Sequence, residues 1–168
     1  MTKSLNTFQK KVSIKKEREN YSLLEKEAFS LLKGEYDLVS NMSNLSSFIF
    51  YSLSEINSVT FYRLKNHELL LGPFQGKPAC VHIPIGKGVC GTVAKNLKSE
   101  IVDNVLNFPG HIACDAASRS EIVVPIFFKN HFWGVLDLDS PIFSRFDKED
   151  EKFLFKIASF IFQEKNRY

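Results

Sequence analysis

At 168 residues, with 44% hydrophobic and 24% charged side chains, the chain suits one soluble globular domain. The net charge of +3 is concentrated in the first twenty residues, where Lys3, Lys10, Lys11, Lys15, Lys16 and Arg18 meet only Glu17 and Glu19. The rest of the chain is close to neutral, which excludes the basic face of a nucleic-acid binder, and no apolar run approaches the roughly 20 residues that cross a bilayer. Three cysteines and a beginning without an apolar signal stretch point to a reducing cytoplasm, with no structural disulfide framework. Neither Cys-x-x-Cys nor His-x-x-x-His occurs, so no tetrahedral zinc site and no cofactor is expected.

Residues 1–20 read as a basic lead-in, frayed and solvated to about residue 18, and residues 21–168 as one domain. Leu23, Leu24, Ala28, Leu31 and Leu32 recur at helical spacing before Gly34. A second helix is predicted from about Tyr36 to Leu53, with Leu38, Met42, Leu45, Phe48 and Ile49 on one side. Strands follow: Ser58 to Leu64, a turn at Lys65-Asn66-His67, then Glu68 to Leu71, broken by Gly72-Pro73. A loop leads to Cys80 and the short strand Val81 to Ile85. Gly86-Lys87-Gly88 then opens a helix from about Val89 to Leu97 that carries Cys90. After the strand Glu100 to Val102 comes a loop dense in ionisable groups, Asp103 to Ser120. Two strands, Glu121 to Phe128 and Phe132 to Asp139, form a hairpin. A closing helix begins at an Asp147 cap and docks Phe153, Leu154, Ile157, Ala158 and Ile161. Most of the sixteen phenylalanines should be core. The fold class is α+β, a mainly antiparallel central sheet flanked by N- and C-terminal helices.

Chemistry concentrates in that dense loop and the hairpin. Asp137 and Asp139 are two apart on a strand, so they project from one face with Val135, while Leu136 and Leu138 pack on the other. Glu121 on the neighbouring strand can complete an acidic cluster. A solvated polar face and a calcium or magnesium site are the other readings. Cys114 is either a thiolate nucleophile or a small buried side chain. Carboxylates nearby would raise its pKa. A nucleophile among acids makes sense where the substrate is cationic, or where one carboxylic acid must stay protonated as a donor. Cys80 is either a second reactive thiol or a strand-edge core residue, Cys90 reads as packed or auxiliary, and His111 as a surface residue or a donor near Cys114.

Gly72-Pro-Phe-Gln-Gly-Lys-Pro-Ala-Cys80, Gly86-Lys-Gly-Val-Cys-Gly91, Phe108-Pro-Gly-His-Ile-Ala-Cys-Asp115, Ser120-Glu-Ile-Val-Val-Pro125 and Gly134-Val-Leu-Asp-Leu-Asp-Ser140 together resemble the free methionine-(R)-sulfoxide reductases, which are single GAF-domain enzymes. The resemblance spans about residues 21–160. It implies that Cys114 attacks the sulfoxide and becomes a sulfenic acid, that Cys80 resolves it as a disulfide, and that Cys90 is the third, auxiliary cysteine. Glu121, Asp137 and Asp139 match the acidic residues of the substrate pocket, and Tyr62 matches a pocket aromatic. Ser58 departs from the pattern, standing where the family commonly has tryptophan. The resemblance further implies free methionine sulfoxide as substrate, a thioredoxin-like reductant and a homodimer, to which the two leading helices could also contribute. A GAF-type sensing module that binds a small ligand without catalysis is the alternative.

Overall fold

The computed structural model describes residues 13–111 and 115–163. Among these residues, five α-helices and six strands follow in order. A leading helix α1, described over 13–19, precedes α2 (Tyr21–Leu32) and α3 (Leu38–Ser52). Then come β1 (Ser58–Lys65), β2 (Glu68–Gly76), β3 (His82–Pro84), α4 (Gly88–Asn96), β4 (Glu100–Val102), β5 (Ser120–Phe128), β6 (His131–Ser140) and α5 (Lys148–Ala158). The strands make one sheet in the order β3-β2-β1-β6-β5-β4, and every neighbouring pair is antiparallel.

Strand alternation sorts the side chains into two cores. Val59 and Phe61 of β1, Ile122, Val124 and Ile126 of β5, and Leu136 and Leu138 of β6 face the layer built by α2, α3 and α5. Met42, Leu45 and Ile49 of α3 pack into that core with Phe153, Leu154 and Ile157 of α5. The opposite face carries Tyr62, Val123 and Val135 under Val89, Cys90 and Val93 of α4. Among the described residues, α4 covers that face together with Val105 and Phe108 from the segment after β4, and the acidic side chains lie on it.

Local chemistry fixes the joints. The β5–β6 hairpin turns at Lys129 and Asn130 with φ of 49° and 64°, and β1–β2 turns at Asn66 and His67 with φ of 50° and 63°. Two consecutive residues in the left-handed region match the right-handed twist of the strands. Asp147 caps α5 by accepting from Glu149 and Asp150, and Asp150 reciprocates to the Asp147 amide at 2.8 Å.

Three expectations change. Gly72-Pro73 does not end β2, because β1 pairs Thr60 with Phe74 and Tyr62 with Leu71, so Phe61 opposes both residues as a bulge. The bulge absorbs the proline's missing N–H, and Gly72 is required there because a Cβ would sit 2.8 Å from the Phe61 carbonyl oxygen. The phenylalanines are not mostly core. Phe61, Phe146 and Phe153 are buried, whereas Phe29, Phe128, Phe143 and Phe155 are exposed. Nor is the basic lead-in a solvated tail over its described part. Glu17 and Arg18 of α1 enter an ion-pair network around the fully buried Arg145.

In that network Arg145 pairs with Glu17 and with Asp150, the latter at 3.2 Å, and donates to the Ser54 carbonyl at 2.9 Å. Arg18 reaches Asp150 at 2.6 Å, and the Tyr21 hydroxyl donates to the same carboxylate. Burial alone would raise the Asp150 pKa, but the hydrogen bonds from Arg18 and Tyr21 and the Arg145 charge outweigh it and hold it low. Removing one member strands the others as buried charges, at a cost of about 3–5 kcal/mol. Arg145→Met is therefore expected to lower the urea midpoint by that equivalent and to loosen α1. An unchanged midpoint would show that the network contributes nothing net.

Candidate active site

The sheet sets the site's geometry. Glu121 and Asp139 are directly paired across β5 and β6, and Asp137, two residues back on the same face, pairs with Val123 on one side and Thr60 on the other. Tyr62 shares this face on β1, opposite Val135, and its hydroxyl donates to the Cys80 carbonyl at 3.0 Å. Above them, α4 starts at the Gly86-Lys87-Gly88 turn, with positive φ at both glycines. Gly91 lets α4 settle against the preceding strand, since a Cβ there would meet the Pro84 carbonyl oxygen at 2.5 Å. This seat turns Cys90, in the first helical turn, toward the sheet. The Cys90 sulfur and one oxygen each of Glu121 and Asp137 lie within 4.8 Å of one another, all on buried residues.

A recess of about 380 Å³, counting its open mouth, lies between α4 and the sheet. Acids and the Cys90 thiol form its floor. Tyr62, Ile83 and Val89 wall it, and Lys87, His111, Asp115 and Ser118 stand around it.

Electrostatics within the recess are unusual for a buried core. Among the described residues no lysine or arginine forms an ion pair with Glu121, Asp137 or Asp139. Burial, followed by the charges of Asp137 and Asp139, pushes Glu121 well above the ordinary carboxylate range. Asp137 is raised likewise, by burial and then by the Asp139 charge. Asp139, half-buried and steadied by a Ser118 hydrogen bond, is pushed up by its burial to about 6. At neutral pH the Glu121–Asp137 pair therefore retains a proton while Asp139 is mostly ionised. Burial and then the neighbouring acids raise the Cys90 pKa far up, so it is a thiol and not a thiolate. Burial lowers the His111 pKa, leaving a neutral imidazole whose Nδ1 is 3.8 Å from Glu121 Oε2.

Two polar atoms in this recess, His111 Nδ1 and Asp137 Oδ1, are buried and find no partner among the described residues. Groups of this kind are costly unless something occupies the space beside them. Cys90, Glu121 and Asp137 are also the group whose donor atoms could converge on a metal ion. Their retained proton works against that use.

The sequence-predicted residues thus fall as follows. Glu121, Asp137, Asp139, Tyr62 and Cys90 meet in one recess. Cys80 stands at the margin, half-buried against the second core, with its carbonyl tied to Tyr62. Cys114 lies outside the described residues, between His111 and Asp115, which both border the recess. Ser58 is buried, 3.0 Å from the Thr60 hydroxyl, and does not line the recess. Sequence reasoning passed over Lys87 and Ser118, and held Asp115 only as a carboxylate neighbour of Cys114 in the dense loop. The Gly-Lys-Gly turn was the available signal for Lys87, whereas Asp115 and Ser118 sit in a loop whose path has no periodicity to read.

The GAF domain family matches residues 34–164. Protein YtsP of Bacillus subtilis (strain 168) is 50% identical over 141 residues, covering 83% of this chain and 86% of that protein. Free methionine-R-sulfoxide reductase of Escherichia coli (strain K12) is 45% identical over 141 residues, covering 84% of this chain and 86% of that protein. The solved structure of fRMsr of Staphylococcus aureus in complex with substrate superposes with a TM-score of 0.81 at 52% identity, covering 84% of this chain and 93% of that one. With the motifs, the sheet order and these likenesses in agreement, the chain belongs to the free methionine-R-sulfoxide reductase family of GAF-domain proteins.

Proposed function

We propose that the protein reduces free L-methionine-(R)-sulfoxide to methionine, with Cys114 as nucleophile and Cys80 as resolving thiol. The observation that carries the reading is the burial of Glu121 and Asp137 side by side, with no lysine or arginine ion pair among the described residues, beneath a recess open to solvent. Burial and mutual repulsion raise both carboxyls and favour a retained proton. A sulfoxide oxygen is a poor leaving group until it is protonated, and a neutral carboxylic acid in a dry site is a suitable donor. Ionised Asp139 supplies the counter-charge for the substrate ammonium. Lys87 and the amides at the start of α4 are the groups suited to its carboxylate. Methionine sulfoxide inside a polypeptide has neither charged group, and so gains neither contact.

The Glu121–Asp137 pair protonates the S=O oxygen, and the Cys114 sulfur attacks. The oxygen passes to Cys114 as a sulfenic acid, and methionine departs with the electron pair of the broken S–O bond. Cys80 then displaces the sulfenic oxygen as water, closing a disulfide. A thioredoxin-like dithiol reopens it by exchange. Cys90, kept as a neutral thiol, acts through hydrogen bonding to Asp137 and not as a nucleophile. Leu23, Phe29 and Leu31 of α2 and Tyr51 of α3 are exposed, which supports a homodimer through these helices. The cytoplasm is the compartment this thiol chemistry suits.

Consumption of the free R epimer, with the S epimer alongside and thioredoxin with its reductase as electron source, tests the reading. R-selective turnover should vanish in Cys114→Ser, and Glu121→Gln should lose about 10²–10⁴-fold as a general-acid variant. A folded, fully reduced wild type that binds the sulfoxide but releases no methionine would leave the GAF sensing module standing instead.

Two acid groups at different pKa values predict the pH profile. Activity should rise through about pH 6 as Asp139 ionises, and fall on the alkaline side as the Glu121–Asp137 pair loses its proton. In Asp139→Asn the acid limb should disappear and KM should rise. Stability carries the opposite sign. A carboxyl whose folded pKa is raised from 3.8 to about 6 favours the fold when protonated, so its contribution is lost as pH rises from about 4 through 6. Urea midpoints across that window should fall for wild type and fall less for Asp139→Asn. Parallel curves would remove Asp139 from the account.

A further inference from the structure

Cys90, Glu121 and Asp137 come from three regular elements: the first turn of α4, the start of β5 and the body of β6. One donor atom from each, a sulfur and two carboxylate oxygens, lies within 4.8 Å of the other two. All three residues are more than nine-tenths buried. Donors carried by strands and a helix are held more closely in place than donors on loops.

A further observation points to a ligand. Asp137 Oδ1 lines the recess and has no hydrogen-bond partner among the described residues. His111 Nδ1, which stands 3.8 Å from Glu121 Oε2, is likewise buried and unpartnered. An orphaned carboxylate oxygen and an orphaned imidazole nitrogen beside a thiol are costly until something completes them.

The donor set decides what that something is. Magnesium and calcium take oxygen ligands. A thiol among carboxylates, with an imidazole bordering the same recess, suits zinc or another thiophilic divalent ion. The proton retained by the acids opposes such an ion, but only as a competitor. A neutral Cys90 and a carboxyl pair sharing one proton together carry a single negative charge. Exchanging both protons for one divalent ion releases them to solvent and leaves the same single negative charge. The exchange therefore buries no additional net charge, and the ion is a visitor that displaces protons, not a resident.

We propose that a thiophilic divalent cation, zinc above all, binds the Cys90–Glu121–Asp137 cluster and inhibits the protein from there. Binding stands on the cluster alone. Inhibition rests on the reductase reading above, because an ion held by these acids removes the donor proposed for the sulfoxide oxygen.

The binding test uses the full chain with its Cys80 disulfide intact, the state in which Cys90 is free. A count of one thiol after denaturation verifies that state. Metal-free protein is titrated with cobalt(II) as a spectroscopic stand-in for zinc, and the thiolate-to-cobalt charge-transfer absorption is followed. The band should saturate at one equivalent, disappear when zinc is added, and survive an excess of magnesium or calcium. It should be absent from Cys90→Ser. In Asp137→Asn, which keeps the thiol, cobalt affinity should fall by more than the roughly 10–100-fold that loss of an outer-shell partner costs. No band in wild type, a band in Cys90→Ser, or an undiminished affinity in Asp137→Asn overturns the site. Inhibition is read separately, as methionine release in a single turnover of the reduced chain. Zinc should stop wild type at a lower concentration than Cys90→Ser, and equal sensitivity overturns the inhibitory role. A metal-free wild type that releases no methionine overturns the reductase reading and the inhibition with it, while the cobalt titration still decides the site.

Discussion

The structure depends on one unfavourable interaction, the crowding of three carboxyl groups on a buried sheet face with no cation paired to them among the described residues. Backbone pairing of Glu121 with Asp139, and the two-residue spacing to Asp137, leave these groups no way to separate. Two full charges 4 Å apart cost about 4 kcal/mol even at an effective dielectric of 20. Retaining a proton is the cheaper outcome, and the sheet thereby stores an acid that neutral water would not keep. Register is what enforces this. A slip of one residue in β6 would move Asp137 and Asp139 into the helical core and expose Leu136 and Leu138. The fully buried Leu136, Leu138, Ile122 and Val124 on the far face forbid that slip.

The same chain solves the opposite problem a short distance away. Asp150 is as buried as Asp137, at 1% and 7% exposure, yet it is charged because Arg18 and Arg145 pair with it. Buried carboxyls are thus neutralised by arginine where the task is to hold elements together, and by a proton where a recess opens above them. The contrast makes the missing cation of the recess a feature of its chemistry. Under the proposed function, a ligand ammonium would pair with Asp139 as Arg145 pairs with Asp150.

What the sequence makes legible follows from how local each cause is. The common face of Asp137 and Asp139 needed only the alternation of a strand. The α5 cap needed only Asp147 and Asp150. The path of β2 through Gly72-Pro73 was illegible, because the bulge is decided by the Phe61 carbonyl on another strand. The lead-in was misread for the same reason: Glu17 looks solvated until Arg145, 128 residues later, is placed against it. Cys90 could be placed on a helix but not beside the acids, since Gly91 seating on Pro84 sets the helix rotation. Asp115 and Ser118 gain their partners from Asn57 and Lys77, in separate segments that no spacing rule connects.

Cys90 and Cys80 can now be separated on physical grounds. Cys90 is nearest the acids and is for that reason the least able to ionise, since burial and negative neighbours both favour its thiol. A thiol so held can donate a hydrogen bond to Asp137 and keep the proton-sharing pair in place, but it attacks slowly. Cys80 stands at the margin, on a loop that carries Lys77 and reaches toward Asp115. Cys80 at the margin is disulfide-bonded, whereas Cys90 on the floor of the recess is a free, neutral thiol. Under the proposed mechanism, the acidity that would activate the sulfoxide would also keep Cys90 out of the resolving role. In that reading one electrostatic arrangement would serve both steps, and moving the resolving role to Cys90 would require dismantling the acid proposed for the first.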